Sequence, residues 1–423
     1  MPFATSNRFT RRAACCSGRR RLRRGYSSIA SLMYVLIGVL MLMLVVNWTY
    51  LVLASRHTSR LSDVLASTAV TELLDDAWLK NHANFGSATQ ADDITAANNA
   101  VTDGTIGYLK RNNDVAGAAL RPNASNAGEV TITAARVPVP SQIADPSTGN
   151  FNTSPVPSEP YNTVRVEIFR SPTGPNPVLF MMRGFGSPNA AKITGAATVT
   201  LDSRLVGFRP SGVFRAPVAP LALDQTQFFT FRQGQPLNGV SDTNGNGILE
   251  LDFYLNPTSG AEILNAALVS LNTGFALDNS GTTIDNQIRN GESSADFAGG
   301  FLGPVSPIGN SKPYSAGATI ALDADQNSSN GSISASSLAT AFEFVRLSSY
   351  PRRVFPVYSG YSDPLTIVGF VGARIVSTDA VGGRLRLRLE PDFIIHATAE
   401  TRPNQSGNPV PENIYIHKTR LTK

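Results

Sequence analysis

Residues 29–46 read IASLMYVLIGVLMLMLVV, an uncharged run interrupted only by Ser31 and Gly38. A segment apolar on every face must be enclosed by a core or by lipid, and this run approaches the roughly 20 residues that cross a bilayer. The apolar character resumes through Trp48, Tyr50, Leu51, Val52 and Leu53, so the expected span runs from Ile29 to about Ala54. Residues 1–24 hold eight arginines and no acid, which puts the N-terminus in the cytoplasm by the positive-inside rule. Trp48 and Tyr50 then fall where an aromatic belt belongs on the far side. A cleaved signal has a shorter apolar region of about 7–15 residues, so the reading is an uncut single-pass anchor.

The chain's 423 residues carry a net charge of +5, but the arginine tail accounts for it and leaves the remainder net negative. A nucleic-acid site would place cations on a folded face, interleaved with aromatics, so no nucleic-acid partner is expected. The two cysteines, Cys15 and Cys16, are adjacent and on the cytoplasmic side, so no disulfide staples the exported part.

Past the anchor, residues 50–80 contain no Gly or Pro, and Leu61, Val64, Leu65, Thr68 and Leu73 recur at helical spacing. The helix is therefore expected to continue as an amphipathic rod. A second helix is expected over about 92–110, with Ile94, Ala97, Val101 and Ile106 on one face. Beyond it, short alternating segments bounded by Gly, Pro and Asn read as antiparallel β structure. Strands are expected at Val130 to Val137, Thr163 to Phe169, Ile193 to Leu201, Ile248 to Leu255, Thr366 to Val376 and Arg384 to Leu389. In the last, Leu385, Leu387 and Leu389 alternate with Arg384, Arg386 and Arg388, whose row reads as a solvated face.

The fold class is thus α+β: a transmembrane helix extended into an amphipathic rod, then a mostly antiparallel exported region. The expected organisation is a basic tail (1–28), the membrane helix (29–54), a helical region (55–110), a β-rich domain (111–235) and a second β-rich region with short helices (236–423).

Arg23-Arg24-Gly25 leading into the apolar helix, with Asp63 amid Ser62, Ala66, Ser67, Thr68 and Ala69, resembles the N-terminus of TadE/TadG-like proteins. The stretch Ala96-Ala97-Asn98-Asn99-Ala100-Val101 is similar to the segment after the anchor in that family. Asn162-Thr163-Val164-Arg165-Val166, Val206-Gly207-Phe208-Arg209-Pro210 and Ile367-Val368-Gly369-Phe370-Val371 resemble its larger TadG-like members. The resemblance implies a pseudopilin-like, non-enzymatic component of a Flp (tight-adherence) pilus assembly system. It also implies an inner-membrane location, a periplasmic or extracellular bulk, and pilin-like or Tad assembly partners reached through the N-terminal helix. Processing in related pilins would cut between Gly25 and Tyr26, although the fifth residue after Gly25 is Ala30 where an acid is preferred.

One loop carries possible metal chemistry. Asp242-Thr243-Asn244-Gly245-Asn246-Gly247 supplies oxygens at positions 1, 3 and 5 and the glycine at 6 of a calcium loop, with Glu250 and Asp252 close behind. Phe253 stands where the bidentate acid at position 12 belongs. The plainer reading of the same residues is an Asn-Gly hairpin turn joining two strands. The alternative function is accordingly a calcium-dependent surface or periplasmic adhesin using the same anchor. Asp278-Asn279-Ser280-Gly281-Thr282 and the loop of Asp323, Asp325 and Asn327 are weaker matches to metal-binding loops. His57, His82, His396 and His417 lack ligand spacing. No nucleophile elbow or phosphate loop occurs, and neither an enzymatic activity nor a small-molecule substrate is expected.

Overall fold

The computed structural model describes residues 17–74, 76, 79, 96–103, 129–138, 150–154, 161–173, 177–180, 190–226, 241–255, 265–269, 281–296, 318–320, 333–360, 365–401 and 413–422. Its first element, α1 (Ser17–Thr71), is one unbroken helix of 55 residues. At 1.5 Å per residue that is about 80 Å of helix. The remainder is rich in strand, so the architecture is α+β.

Five strands form the first sheet, in the order β1 (Val130–Ala135), β2 (Thr163–Arg170), β5 (Ile193–Asp202), β16 (Ile416–Thr422) and β14 (Ile394–Ile395). All its pairings are antiparallel except β14 with β16. Its centre is set by two registers on β5: Thr163 opposite Thr200 through Arg170 opposite Ile193 on one side, and Lys418 opposite Asp202 through Thr422 opposite Thr198 on the other. Alternation decides which face is covered. Val164, Val166 and Ile168 of β2 and Ala197, Val199 and Leu201 of β5 are buried against Leu61, Leu65, Ala66, Ala69 and Val70 of α1 and Leu73 just past its end. Ala97 and Val101, from the helical residues 96–103 (α2), join this core, while Ile94 and Ile106 lie outside the described residues. Burying each large aliphatic chain on α1 contributes at most about 1.5–3 kcal/mol, enough to hold helix to sheet without a disulfide.

The second sheet runs β8 (Leu251–Leu255), β13 (Arg384–Pro391), β12 (Leu365–Val381), β11 (Arg352–Tyr358), β7 (Leu221–Asp224), β9 (Ala266–Leu268), with β10 (Ala318–Ile320) also pairing β12. Among the described strands of this sheet, only β7 with β11 is parallel. Two helices, α3 (Gly281–Asn290) and α4 (Ala335–Arg346), accompany it. Ser334 caps α4 by accepting from the Ser337 amide, and Leu338, Ala341, Phe342 and Val345 form its buried stripe at helical spacing. Phe342 stacks on Phe355 of β11 with ring centroids 6.5 Å apart. The two ends of this sheet meet through a side chain. Asn265 accepts from the Tyr254 amide (2.7 Å) and donates to the Asp252 carbonyl (2.9 Å), occupying the edge of β8 from just before β9.

Two short ladders complete the fold: β6 (Leu205–Phe208) with β15 (Ala399–Thr401), and β3 (Val178–Leu179) with β4 (Ala190–Ala191). Both sheets draw strands from both sides of residue 235, since β7 lies in the second sheet while β14 and β16 lie in the first.

Candidate functional site

The surface of α1 changes character along its length. From Ile29 to Trp48 the large apolar side chains point outward, and the most apolar window of the described helix has no buried residue. By length and composition this part of α1 can cross a membrane. Gly25 and Tyr26, the residues flanking the expected processing point, are helical residues of α1.

Burial begins at Ala54, which packs with Tyr50, Leu51, Val178 and Ile193. Thr58 follows, its hydroxyl donating to the Ala54 carbonyl at 2.8 Å and its backbone pressed against Gly195. A Cβ on Gly195 would lie 2.9 Å from the carbonyl carbon, carbonyl oxygen and Cγ2 of Thr58, so this glycine sets how closely β5 approaches the helix. The buried face then runs through Leu61, Leu65, Ala66, Ala69, Val70 and Leu73. Val64 is exposed and Thr68 half-buried, so the expected stripe is rotated, with Ala66 and Ala69 in the core instead. Small residues let the sheet come close, and hydropathy alone does not mark them as core.

At the same level sits a buried cation. Arg170 is 1% exposed, 3.9 Å from the carboxylate of Glu129. Burial pulls its guanidinium below the usual arginine range, against the opposing pull of Glu129 and Tyr50. Burial and then the Arg170 charge also lower the pKa of His57, favouring its neutral form.

The Asp242 loop is internally satisfied. Asp242 accepts from the amides of Gly245 (2.8 Å) and Asn246 (3.1 Å) through Oδ1 and of Gly247 (2.9 Å) through Oδ2. Gly245 and Gly247 take left-handed φ values of 73° and 83°, which explains both glycines. Asn244 and Asn246 accept through their side-chain oxygens from the Asn246 and Ile248 amides. Their side-chain N–H groups donate to Glu390 of β13, at 2.6 Å from Asn244 and 3.1 Å from Asn246. Thus a buried carboxylate more than 140 positions away faces the loop, already charge-paired with Arg374. No spacing in the sequence marks it.

Glu250 is buried, accepts from the Thr243 hydroxyl and lies 3.7 Å from Arg388. Phe253 is in the core, so position 12 of the loop points away from any cation. Asp252, one residue back on β8, is held by Arg386 (2.6 Å) and Arg388 (2.7 Å). Burial alone would raise its pKa, but the hydrogen bonds from Arg388 and Arg386 outweigh burial and hold it below the usual carboxylate range. The arginine row of β13 therefore serves as a cross-strand clamp at two of its three positions, rather than as a plain solvated face.

Asp202 is another buried acid, bracketed by Arg204 (3.0 Å) and Arg420 (2.8 Å), which ties the C-terminal strand to β5. Burial pushes His417 down to about 4, and burial also lowers His396. Asp278, Ser280, Asp323, Asp325, Asn327 and His82 lie outside the described residues. Among the described residues, no three His, Cys, Asp or Glu side chains are grouped to hold a metal. Compared with protein-family models, curated proteins and solved structures, the chain matches none of them.

Proposed function

We propose that the chain is a non-enzymatic, single-pass structural component of the cell envelope, pseudopilin-like in the manner of the TadE/TadG-like proteins it resembles. Its α1 would be inserted in the inner membrane, with the arginine tail in the cytoplasm and both sheets outside. The observation that carries this reading is the division of α1. One continuous helix has an exposed apolar half and a second half that is the spine of an antiparallel sheet. A helix used only as a tether needs no such continuity with the exported core. Continuity couples packing of the apolar half among partner helices to the orientation of the exported sheets.

The test is photocrosslinking in cells from a benzophenone amino acid at Leu36 or Leu40. The reading expects crosslinks to other proteins that share this arginine-then-apolar helix, or to a second copy. Crosslinks to lipid alone would leave α1 a tether and remove the assembly role.

The rival is a calcium-dependent adhesin centred on Asp242, Asn244, Asn246, Glu250 and Asp252. The approach of Glu390 to both asparagines favours it, because a buried carboxylate there would supply the acid missing at position 12 once the two side-chain amides turned their oxygens toward a cation. The Arg374 pairing and the commitment of Asp252 to two arginines favour the turn. A calcium-induced rise in stability, abolished by Asp242→Ala, would decide for the adhesin.

A further inference from the structure

We infer that the exported sheet stands on the membrane through a lipid-facing foot, formed by the β3–β4 ladder and the adjoining ends of β2 and β5, that contacts anionic headgroups of the outer leaflet. This rests on the anchor reading and adds a second membrane contact to it.

The geometry follows from α1. Residues 29–46 rise about 27 Å as a helix, close to the roughly 30 Å hydrocarbon thickness, so the bilayer core ends near Val46. Val178 of β3 and Ile193 of β5 pack on Tyr50, Leu51 and Ala54, four to eight residues further on. That is about 6–12 Å beyond the hydrocarbon edge, and the headgroup layer is itself about 5–8 Å deep. The ladder is therefore level with the outer headgroups, and helix packing fixes it there.

The chemistry at that level fits lipid. Leu179, beside Val178, is 40% exposed, and Phe169, the residue after the Ile168 that pairs with Gly195, is 37% exposed. Lys192 is exposed, with its ammonium 4.9 Å from the centre of the Phe169 ring, an apolar body topped by a cation. The described acids nearby are engaged, Glu129 facing the buried Arg170 and Glu167 bound by Arg165. What remains outward pairs exposed apolar side chains with a cation, which suits the surface of an anionic phospholipid leaflet.

Electron paramagnetic resonance on the full chain tests the placement. With Cys15→Ser and Cys16→Ser as background, spin labels are placed at Leu179→Cys, at Leu42→Cys within the span, and at Thr419→Cys. Thr419 is exposed opposite Leu201, about 26 Å up β5 from Ile193 at 3.3 Å per residue. In vesicles of phosphatidylcholine with phosphatidylglycerol, the label at 179 is expected to be several-fold less open to a water-soluble nickel chelate than the label at 419. Lys192→Glu is expected to erase most of that protection in these vesicles and to change little in phosphatidylcholine alone. If position 179 is as open as 419 while 42 is deep in the bilayer, the foot is refuted and the anchor stands. If 42 is itself open to the chelate, the anchor fails and the foot with it. Protection at 179 that ignores Lys192→Glu overturns the headgroup contact.

Discussion

Gly195 marks the tightest approach between α1 and the first sheet, and adding one methyl there perturbs the helix-sheet spine without touching any charge. The Cβ of Gly195→Ala would meet three Thr58 atoms at 2.9 Å, two of them backbone, so rotamer changes relieve only the contact with Cγ2. Ordinary contacts begin beyond about 3.4 Å, so helix and strand must separate by about half an ångström, and overpacking of this kind costs about 1–3 kcal/mol. Alanine also stiffens the unfolded chain, which returns about 0.4–1 kcal/mol. The net expectation is a loss of about 1–2 kcal/mol. Amide hydrogen exchange on the full chain in nanodiscs reads it locally, as roughly 5–30-fold faster exchange over α1 residues 58–70. Ala196→Val, on the exposed face of the same strand, should change exchange by less than about twofold. Thr58→Ala should recover less than half of the loss, because the two backbone contacts remain. Equal exchange in Gly195→Ala and Ala196→Val would refute the claim that this glycine sets the helix-sheet distance.

Other perturbations probe the second sheet. Asp252→Asn leaves Arg386 and Arg388 without their shared acid and should cost about 2–3 kcal/mol in chemical denaturation, a figure reduced by the partial exposure of both arginines. Glu292 is fully buried and is pushed well above the carboxylate range by burial and then by Asp296. Such a group favours folding below its unfolded pKa, and that contribution is lost as pH rises through the folded value. Glu292→Gln should therefore match the parent in acid, exceed its stability at neutral pH and flatten the profile of stability against pH. Gly291→Ala should be poorly tolerated, since φ is +78° and a Cβ would fall 2.3 Å from the Ala216 carbonyl oxygen. A loss above about 2 kcal/mol in thermal unfolding is expected.

Local pattern made much of this fold readable in the sequence. Strands β2, β5 and β13 lie within two residues of their expected bounds, because strict alternation between turn residues survives in any tertiary setting. Expected Ile248 to Leu255 shortens to Leu251–Leu255, since Ile248 still belongs to the Asp242 loop through its bond to Asn246. Helix α4 carries its signal openly, in the Ser334 cap and the stripe ending at Val345, yet the Gly- and Ser-rich texture around it hides that signal among turn residues. What no local pattern carries is pairing across distance. The return of β16 to β5, the parallel pairing of β7 with β11, and the reach of Glu390 to Asn244 each join residues more than 130 positions apart. The two-residue strands β3 and β4 are too short to show a period at all.

The proposed function requires α1 to cross the membrane once and to carry both sheets out with it. Protease treatment of spheroplasts making the full chain, tagged at each end, tests this most directly. The account predicts that the tag beyond Lys423 is removed while the tag before the arginine-rich tail survives until the membrane is breached. Survival of the C-terminal tag in sealed spheroplasts, or release of the chain from membranes at alkaline pH, would contradict it.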